Sequence, residues 1–214
     1  MANVIQLRYG VSRKKFVYYE ILDLGTRSLR RKHYSTQGKF GQKRIIVYSG
    51  NLSKERVGEL SSNLKNLPAG VELWLIGPNG EWLNKFELTN LKYLGVFEEA
   101  TFLSKLNEGN FGLVWYPINL ASYFKFSSSS KFSSYMVAGL PVLVDVHAKY
   151  VAEITEKYKV GIVGKNLFDL FIKASHLDRE TYYELMSNAL SLGDKIRSGY
   201  FIKRALRTAM SAKQ

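Results

Sequence analysis

Positions 127 to 144 read Ser-Ser-Ser-Ser-Lys-Phe-Ser-Ser-Tyr-Met-Val-Ala-Gly-Leu-Pro-Val-Leu-Val. This run places the hydroxyls of Ser129, Ser130 and Ser134 and the ammonium of Lys131 around the start of a helical segment that follows a buried strand. The first backbone N–H groups of a helix have no intrahelical partner, and the helix dipole makes that end attractive to an anion. The chemistry in outline is a grip on a diphosphate. A plainer role uses the same residues, with the serines capping the helix and Lys131 as a solvated cation, and the residues alone leave both open. Other groups point to less. Glu98 with Glu99 and Glu153 with Glu156 have the spacing of solvated helix acids. Tyr18, Tyr19, Trp74, Tyr182 and Tyr183 fall at core spacing, and His33, His147 and His176 lack metal-ligand spacing.

The elements that must position the serine loop are legible from residue 45 onward. Short β-branched or aromatic runs alternate with segments of helical period, the pattern of a doubly wound, mostly parallel Rossmann-like α/β sheet of about six strands. Strands are predicted at 45–48, 71–76, 91–94, 111–115 and 141–144. Residues 160–163 add another, with a helix on either side. Helices are predicted at 53–64, capped by Ser53 and stopped by Pro68 and Gly70, at 98–106, and at 131–138, closed by Gly139. The run Gly77-Pro78-Asn79-Gly80 is turn chemistry. In such a sheet, a loop at the carboxyl ends of the strands is where ligands bind.

Residues 1–44 break this rhythm, with one plausible strand at 16–22 followed by a basic stretch containing Gly and Ser. They hold 11 Lys or Arg against Glu20 and Asp23, which is +9 of the net +13, while residues 45–214 contribute only +4. Residues 24–44 are therefore expected to pack poorly on their own core. Such an arm suits an anionic partner or a solvated linker, and no nucleic-acid motif accompanies it. The chain has no cysteine, so disulfides and thiolate chemistry are excluded. It also lacks an apolar run near the roughly 18 residues of a membrane span and the pattern of a secretory signal. The expectation is a cytoplasmic protein, at most peripheral to a membrane.

The segment 131–144 resembles the Lys-x-x-x-[Tyr/Phe]-[Leu/Met]-x-Ala-Gly-[Leu/Ile]-Pro-Val stretch of two-domain (GT-B) bacterial glycosyltransferases related to β-1,6-galactofuranosyltransferases and to the glucosyltransferases of serine-rich adhesins. Asn110-Phe111-Gly112-Leu113-Val114-Trp115 is similar to that family's Gly-Phe-Gly-Leu-Val-Trp strand, Gly50-Asn51 to its first loop, and residues 199–206 to its C-terminal Gly-[Phe/Tyr]-Phe-x-x-Arg segment. The resemblance implies two facing Rossmann-like domains, with residues 45–214 as the nucleotide-sugar-binding one and residues 1–44 as the end of the first domain plus a linker. Most of the first domain, with the acceptor site, would then lie outside this chain. It further implies a UDP-linked sugar as donor, transfer of a hexosyl unit to a glycan or glycoprotein acceptor, and no metal requirement, consistent with the absence of an Asp-x-Asp pair. Lys131 falls on the pyrophosphate lysine, and Ser129, Ser130 and Phe132 on its neighbours. Gly50 and Asn51 fall on the loop approaching the donor, with Lys54 or Arg56 as the cation beyond it. Ile76 stands near a position that often holds a Tyr beside the base, and Ser134 stands where other two-domain enzymes place a ribose-binding Glu. The alternative is a non-catalytic partner subunit whose basic arm and interdomain face meet a second glycosyltransferase chain or another copy of itself.

Overall fold

A computed structural model describes residues 10, 17, 19–20, 22–23, 40–41, 43–63, 67–86 and 88–211. Six strands, β1 (Arg44–Ser49), β2 (Val71–Ile76), β3 (Leu91–Gly95), β4 (Phe111–Val114), β5 (Val142–Asp145) and β6 (Gly161–Gly164), form one sheet in the order β3-β2-β1-β4-β5-β6. Every pairing is parallel. The helices are α1 (Lys54–Asn63), α2 (Glu99–Glu108), the short α3 (Ala121–Phe124), α4 (Ser130–Val137), α5 (Lys149–Tyr158), α6 (Leu167–His176), α7 (Arg179–Arg197) and α8 (Tyr200–Ser211). The doubly wound sheet expected from the alternating pattern is the fold.

Parallel strands covered by helices on both faces have no polar side, and their sequences show it. Along β1, Val47 packs into one apolar cluster and Ile46 and Tyr48 into the other. β5 divides likewise, with Val142 and Val144 on one face and Leu143 on the opposite one. The long α7 serves both layers. Its Tyr182 and Met186 join the cluster beneath α1 and α6, whereas Ala189, Leu192 and Ile196 join the cluster beneath α4 and α5.

Two features depart from the sequence expectation. The chain beyond β6 winds into three helices, α6, α7 and α8, whereas one helix after β6 and a C-terminal helix were expected from sequence. The end of the basic arm is also packed: Phe40 lies against Tyr182 at 5.8 Å between centroids, the Arg44 guanidinium sits 3.8 Å above the Phe40 ring, and Arg44 itself begins β1. An apolar ring within reach of the core overrides the charge around it. The expected strand at 16–22 and the stretch 24–39 fall largely or wholly outside the described residues.

Candidate functional site

The strand order places consecutive connections on opposite sides of the sheet at β1 and β4, so their carboxyl ends open a crevice between them. A cavity of about 210 Å³ fills this crevice. Tyr48, Gly50 and Asn51 from the end of β1, Arg56 from α1, Tyr116, Pro117, Leu120 and Phe124 from the segment after β4, and Ser128 to Lys131 at the start of α4 line it. A second hollow of about 330 Å³ adjoins it through Gly50, Ser130 and Lys131 and is walled by Ile76, Pro78, Val96, Phe97, Phe102 and Ser134.

Buried hydrogen bonds hold α4 in place. The Tyr135 hydroxyl accepts from the Ser49 amide at 2.9 Å and donates to the Leu113 carbonyl at 3.3 Å, joining the helix to β1 and β4 beneath the cavity. Gly112 makes room for the ring, since a Cβ there would stand 2.3 Å from it. At the cap, the buried Ser129 gives no side-chain hydrogen bond to its own helix. Its hydroxyl instead accepts from the Tyr116 hydroxyl at 2.8 Å. That bond fixes Tyr116, whose ring stacks face to face on Phe124 at 3.6 Å.

Lys131 reaches into this frame. Its Nζ lies 3.9 Å from the centroid of Tyr48 and 4.8 Å from that of Tyr116, held by the negative ring faces. Burial of the ammonium, and secondarily the nearby Arg56, pushes its pKa down to about 7. No Asp or Glu lines either hollow, and neither Lys131 nor Arg56 has an ion-pair partner among the described residues. Two cations, a helix N-terminus and several hydroxyls thus converge with no built-in counter-charge, an arrangement that attracts an anion.

Residues 46–209 match the family model for the Glucosyltransferase 3-like C-terminal domain. The chain belongs to this family. Its curated relatives include Glucosyltransferase 3 of Streptococcus parasanguinis, 27% identical over 167 residues that make up 78% of this chain and 47% of the relative. The β-1,6-galactofuranosyltransferase WbbI of Escherichia coli K12 is 27% identical over 77% of this chain and 49% of its own length. The chain therefore spans about half the length of these relatives. Among solved structures, S. aureus TarM in complex with fondaparinux, α-GlcNAc-glycerol and UDP superposes with a TM-score of 0.60, at 14% identity over 98% of this chain and 41% of TarM. A UDP-forming α,α-trehalose-phosphate synthase from Burkholderia xenovorans superposes with 0.53, at 11% identity over 81% of this chain and 45% of that one. Both support the fold, one half of a GT-B glycosyltransferase.

In this Glucosyltransferase 3-like domain, the residues singled out from sequence are distributed unevenly. Gly50, Asn51, Arg56, Ser129, Ser130 and Lys131 line the first cavity, and Ile76 and Ser134 line the second. Phe132 does not join them. It is fully buried in the core, because the next residue along a helix turns by about 100° and faces away from the cavity that Lys131 enters. Lys54 lies outside as well, with its Nζ 5.8 Å from the Trp82 ring. Of the two candidate cations on α1, Arg56 is the one that lines the cavity.

Sequence reasoning missed the aromatic walls. Tyr48 read as the last residue of a buried strand and Tyr116 as the residue just after one, yet the end of a strand at a switch point is where such rings meet a ligand. Phe97 and Phe102 provide rings beside Ile76, where the missing Tyr had left the second hollow without an obvious stacking surface. Among the described residues, no three groups of His, Cys, Asp or Glu converge as a metal site, and no helix is long and apolar enough to cross a membrane.

Proposed function

We propose that this domain binds a nucleoside diphosphate sugar, UDP-linked, and belongs to an enzyme that transfers the sugar to a glycan or glycoprotein acceptor. The observation that carries the reading is the carboxylate-free crevice at the topological switch point, where Lys131, Arg56 and the first turn of α4 converge. The diphosphate occupies the first cavity, between the Lys131 ammonium and the Arg56 guanidinium. The base and ribose extend into the second hollow toward Ile76, Phe97 and Ser134. TarM, which shares the fold, was solved with UDP bound, in keeping with a uridine nucleotide as the ligand.

During transfer the bond from the anomeric carbon to the β-phosphate oxygen breaks, and negative charge grows on the departing diphosphate. Donors already aimed at that charge stabilise it without reorganising, which is how such an electrostatic site lowers a barrier. Lys131, Arg56 and the free amides of α4 supply the donors. The groups that orient and deprotonate the acceptor come from a facing domain.

Calorimetry with UDP tests the reading. A charge-assisted phosphate contact is worth about 1.5–3 kcal/mol, so Lys131→Ala is expected to weaken binding roughly ten- to a hundredfold. Equal affinity in the two proteins would remove Lys131 from the site. Absence of UDP binding to the wild-type chain would favour the partner-subunit reading, for which Ile76 at the Tyr position is the supporting residue. Turnover is expected only when a first-domain chain is added, and turnover by this chain alone would overturn the assignment of the acceptor groups to a facing domain.

A further inference from the structure

A second basic hollow of about 260 Å³ lies away from the nucleotide crevice and is lined by Lys157, Lys159, Lys195, Asn188 and Ser191, with Tyr158 and Leu192 completing it. It is formed by the end of α5 and one face of α7. Lys159 precedes Val160 and β6, which places the hollow at the amino ends of the strands. The donor crevice is at their carboxyl ends, so one ligand of ordinary size does not serve both.

The charges there are unbalanced. No Asp or Glu lines the hollow. Lys157 has a distant partner, Glu20 at 3.7 Å, whose other oxygen is taken by Arg204. Lys159 and Lys195 have no carboxylate partner among the described residues, and Lys195 rests instead 5.8 Å from the rings of Tyr158 and Tyr200. The three lysines are exposed, so water screens much of their mutual repulsion, and an anion entering between them relieves what is left.

The backbone supplies an independent observation. Lys159 adopts φ +50° and ψ +49°, the left-handed conformation that closes α5. Among the described residues, only Asn79 shares positive φ without being glycine. Asparagine tolerates that region, but a lysine there costs on the order of 1 kcal/mol relative to glycine. The turn is also pinned from outside, since the Asn188 amide donates to the Lys159 carbonyl at 3.0 Å. The helix dipole rewards one cation at the end of α5. It rewards Lys195 likewise, in the last turn of α7, but it does not account for the meeting of the two helix ends around one hollow.

We propose that the hollow between α5 and α7 is a phosphoryl-group site, separate from the nucleotide crevice and independent of its assignment. Three ammonium groups with an adjacent hydroxyl suit the charge and compact shape of a phosphate, which lysine binds as a point charge. The phosphoryl group comes either on a soluble phosphate compound or on the headgroup of an anionic lipid.

The test uses the full chain and two probes. Inorganic phosphate is titrated while amide chemical shifts are followed at residues 157–160 and 188–195. Vesicles of phosphatidylcholine with and without phosphatidic acid are then pelleted with the protein. The variants are Lys159→Gly, Lys195→Met and the pair. Phosphate is expected to shift these amides in the wild type, with affinity falling about tenfold or more in the pair. The Lys159→Gly variant is expected to melt no lower than the wild type, because glycine relieves the left-handed backbone, so lost phosphate affinity there is not lost folding. Pelleting that requires phosphatidic acid and both lysines would assign the lipid source, and phosphate binding without it the soluble one. Unchanged phosphate affinity in the pair, or shifts confined to the neighbourhood of Lys131, would overturn the proposal. UDP titration of the pair separates this from the donor site, whose affinity is expected to stay the same.

Discussion

Lys131 shows how the chemistry of a single residue is set by its surroundings. An ordinary lysine titrates near 10.4, but this one is pushed down to about 7 by burial of its ammonium and by Arg56. A bound diphosphate supplies the opposite charge and raises it again. Below pH of about 7 the ammonium is already present, and above it UDP binding must carry a proton in. UDP affinity is therefore expected to decline by up to about tenfold per pH unit above 7, until the pKa of the bound state is reached. At pH 8, where the terminal phosphate of UDP is already ionised, calorimetry in buffers of different ionisation heat should show proton uptake by the wild type and none by Lys131→Met. Equal uptake by both would place the titrating group elsewhere. The ligand-free protein carries the opposite signature. A lysine whose folded pKa is depressed leaves more protons on the unfolded chain between pH 7 and 10, so its contribution to stability grows as pH rises through that window. Thermal melts at pH 7 and 9 should show a smaller gain in Lys131→Met than in the wild type. The lysine was legible in the sequence because a cation after four serines at a helix start is unusual. Its setting was not, since Tyr48 near the end of β1 and Tyr116 just beyond β4 are ordinary apolar residues until the strand order puts those strand ends side by side.

At the scale of elements, α4 depends on its attachment to the sheet. Tyr135 accepts from both the Ser49 amide and the Ser49 hydroxyl, at 2.9 and 3.1 Å, in a site sealed from water. Replacing it with Phe keeps the volume and leaves the buried amide without its partner, which costs about 1–3 kcal/mol. Tyr135→Phe should lower the unfolding free energy by that amount, read from the denaturant midpoint and slope, and weaken UDP binding, because the helix start proposed to meet the phosphate loses its anchor. A fall in stability with unchanged affinity would show that α4 keeps its place by packing alone. The beginning of α4 was legible from the run of serines before it, although Ser129 gives its helix no side-chain hydrogen bond, and its end from Gly139. The later helices were harder to read, and α7 shows why. Its buried face includes Ala189 and Gly193 between Met186 and Ile196, so small residues dilute the apolar period. Gly193 looks like a helix breaker in sequence, yet a Cβ there would stand 2.2 Å from the Met136 carbonyl. Close packing of α7 on α4 sets that choice, and one strand of sequence cannot show a contact made by another.

At the scale of the whole molecule, the charge distribution suggested that the body begins at residue 45, but packing continues upstream of that position. Leu22 is almost fully buried in the cluster that also holds Phe201 and Ile196. Asp23 accepts from the Ile202 amide at 2.7 Å, satisfying a donor at the start of α8, and Glu20 pairs with Arg204 on the same helix. The residues just ahead of the basic stretch thus clasp the last helix, a contact between positions some 180 residues apart in the chain that neither local period nor composition encodes. A chain shortened to begin at residue 40 should therefore be less stable than the full one, although it keeps every strand of the sheet. Leu22→Ala isolates the apolar part of the effect and is expected to cost about 2–5 kcal/mol, as for other buried leucines. Asp23→Ala isolates the carboxylate at the α8 start and should cost about 1 kcal/mol. Urea denaturation of the three variants separates the contributions. If the shortened chain matches the wild type in midpoint and slope, the contacts of residues 20, 22 and 23 are incidental and the folded unit begins at β1. If it loses at least as much as Leu22→Ala alone, the folded unit includes the segment ahead of the basic arm, and α8 is held from both sides.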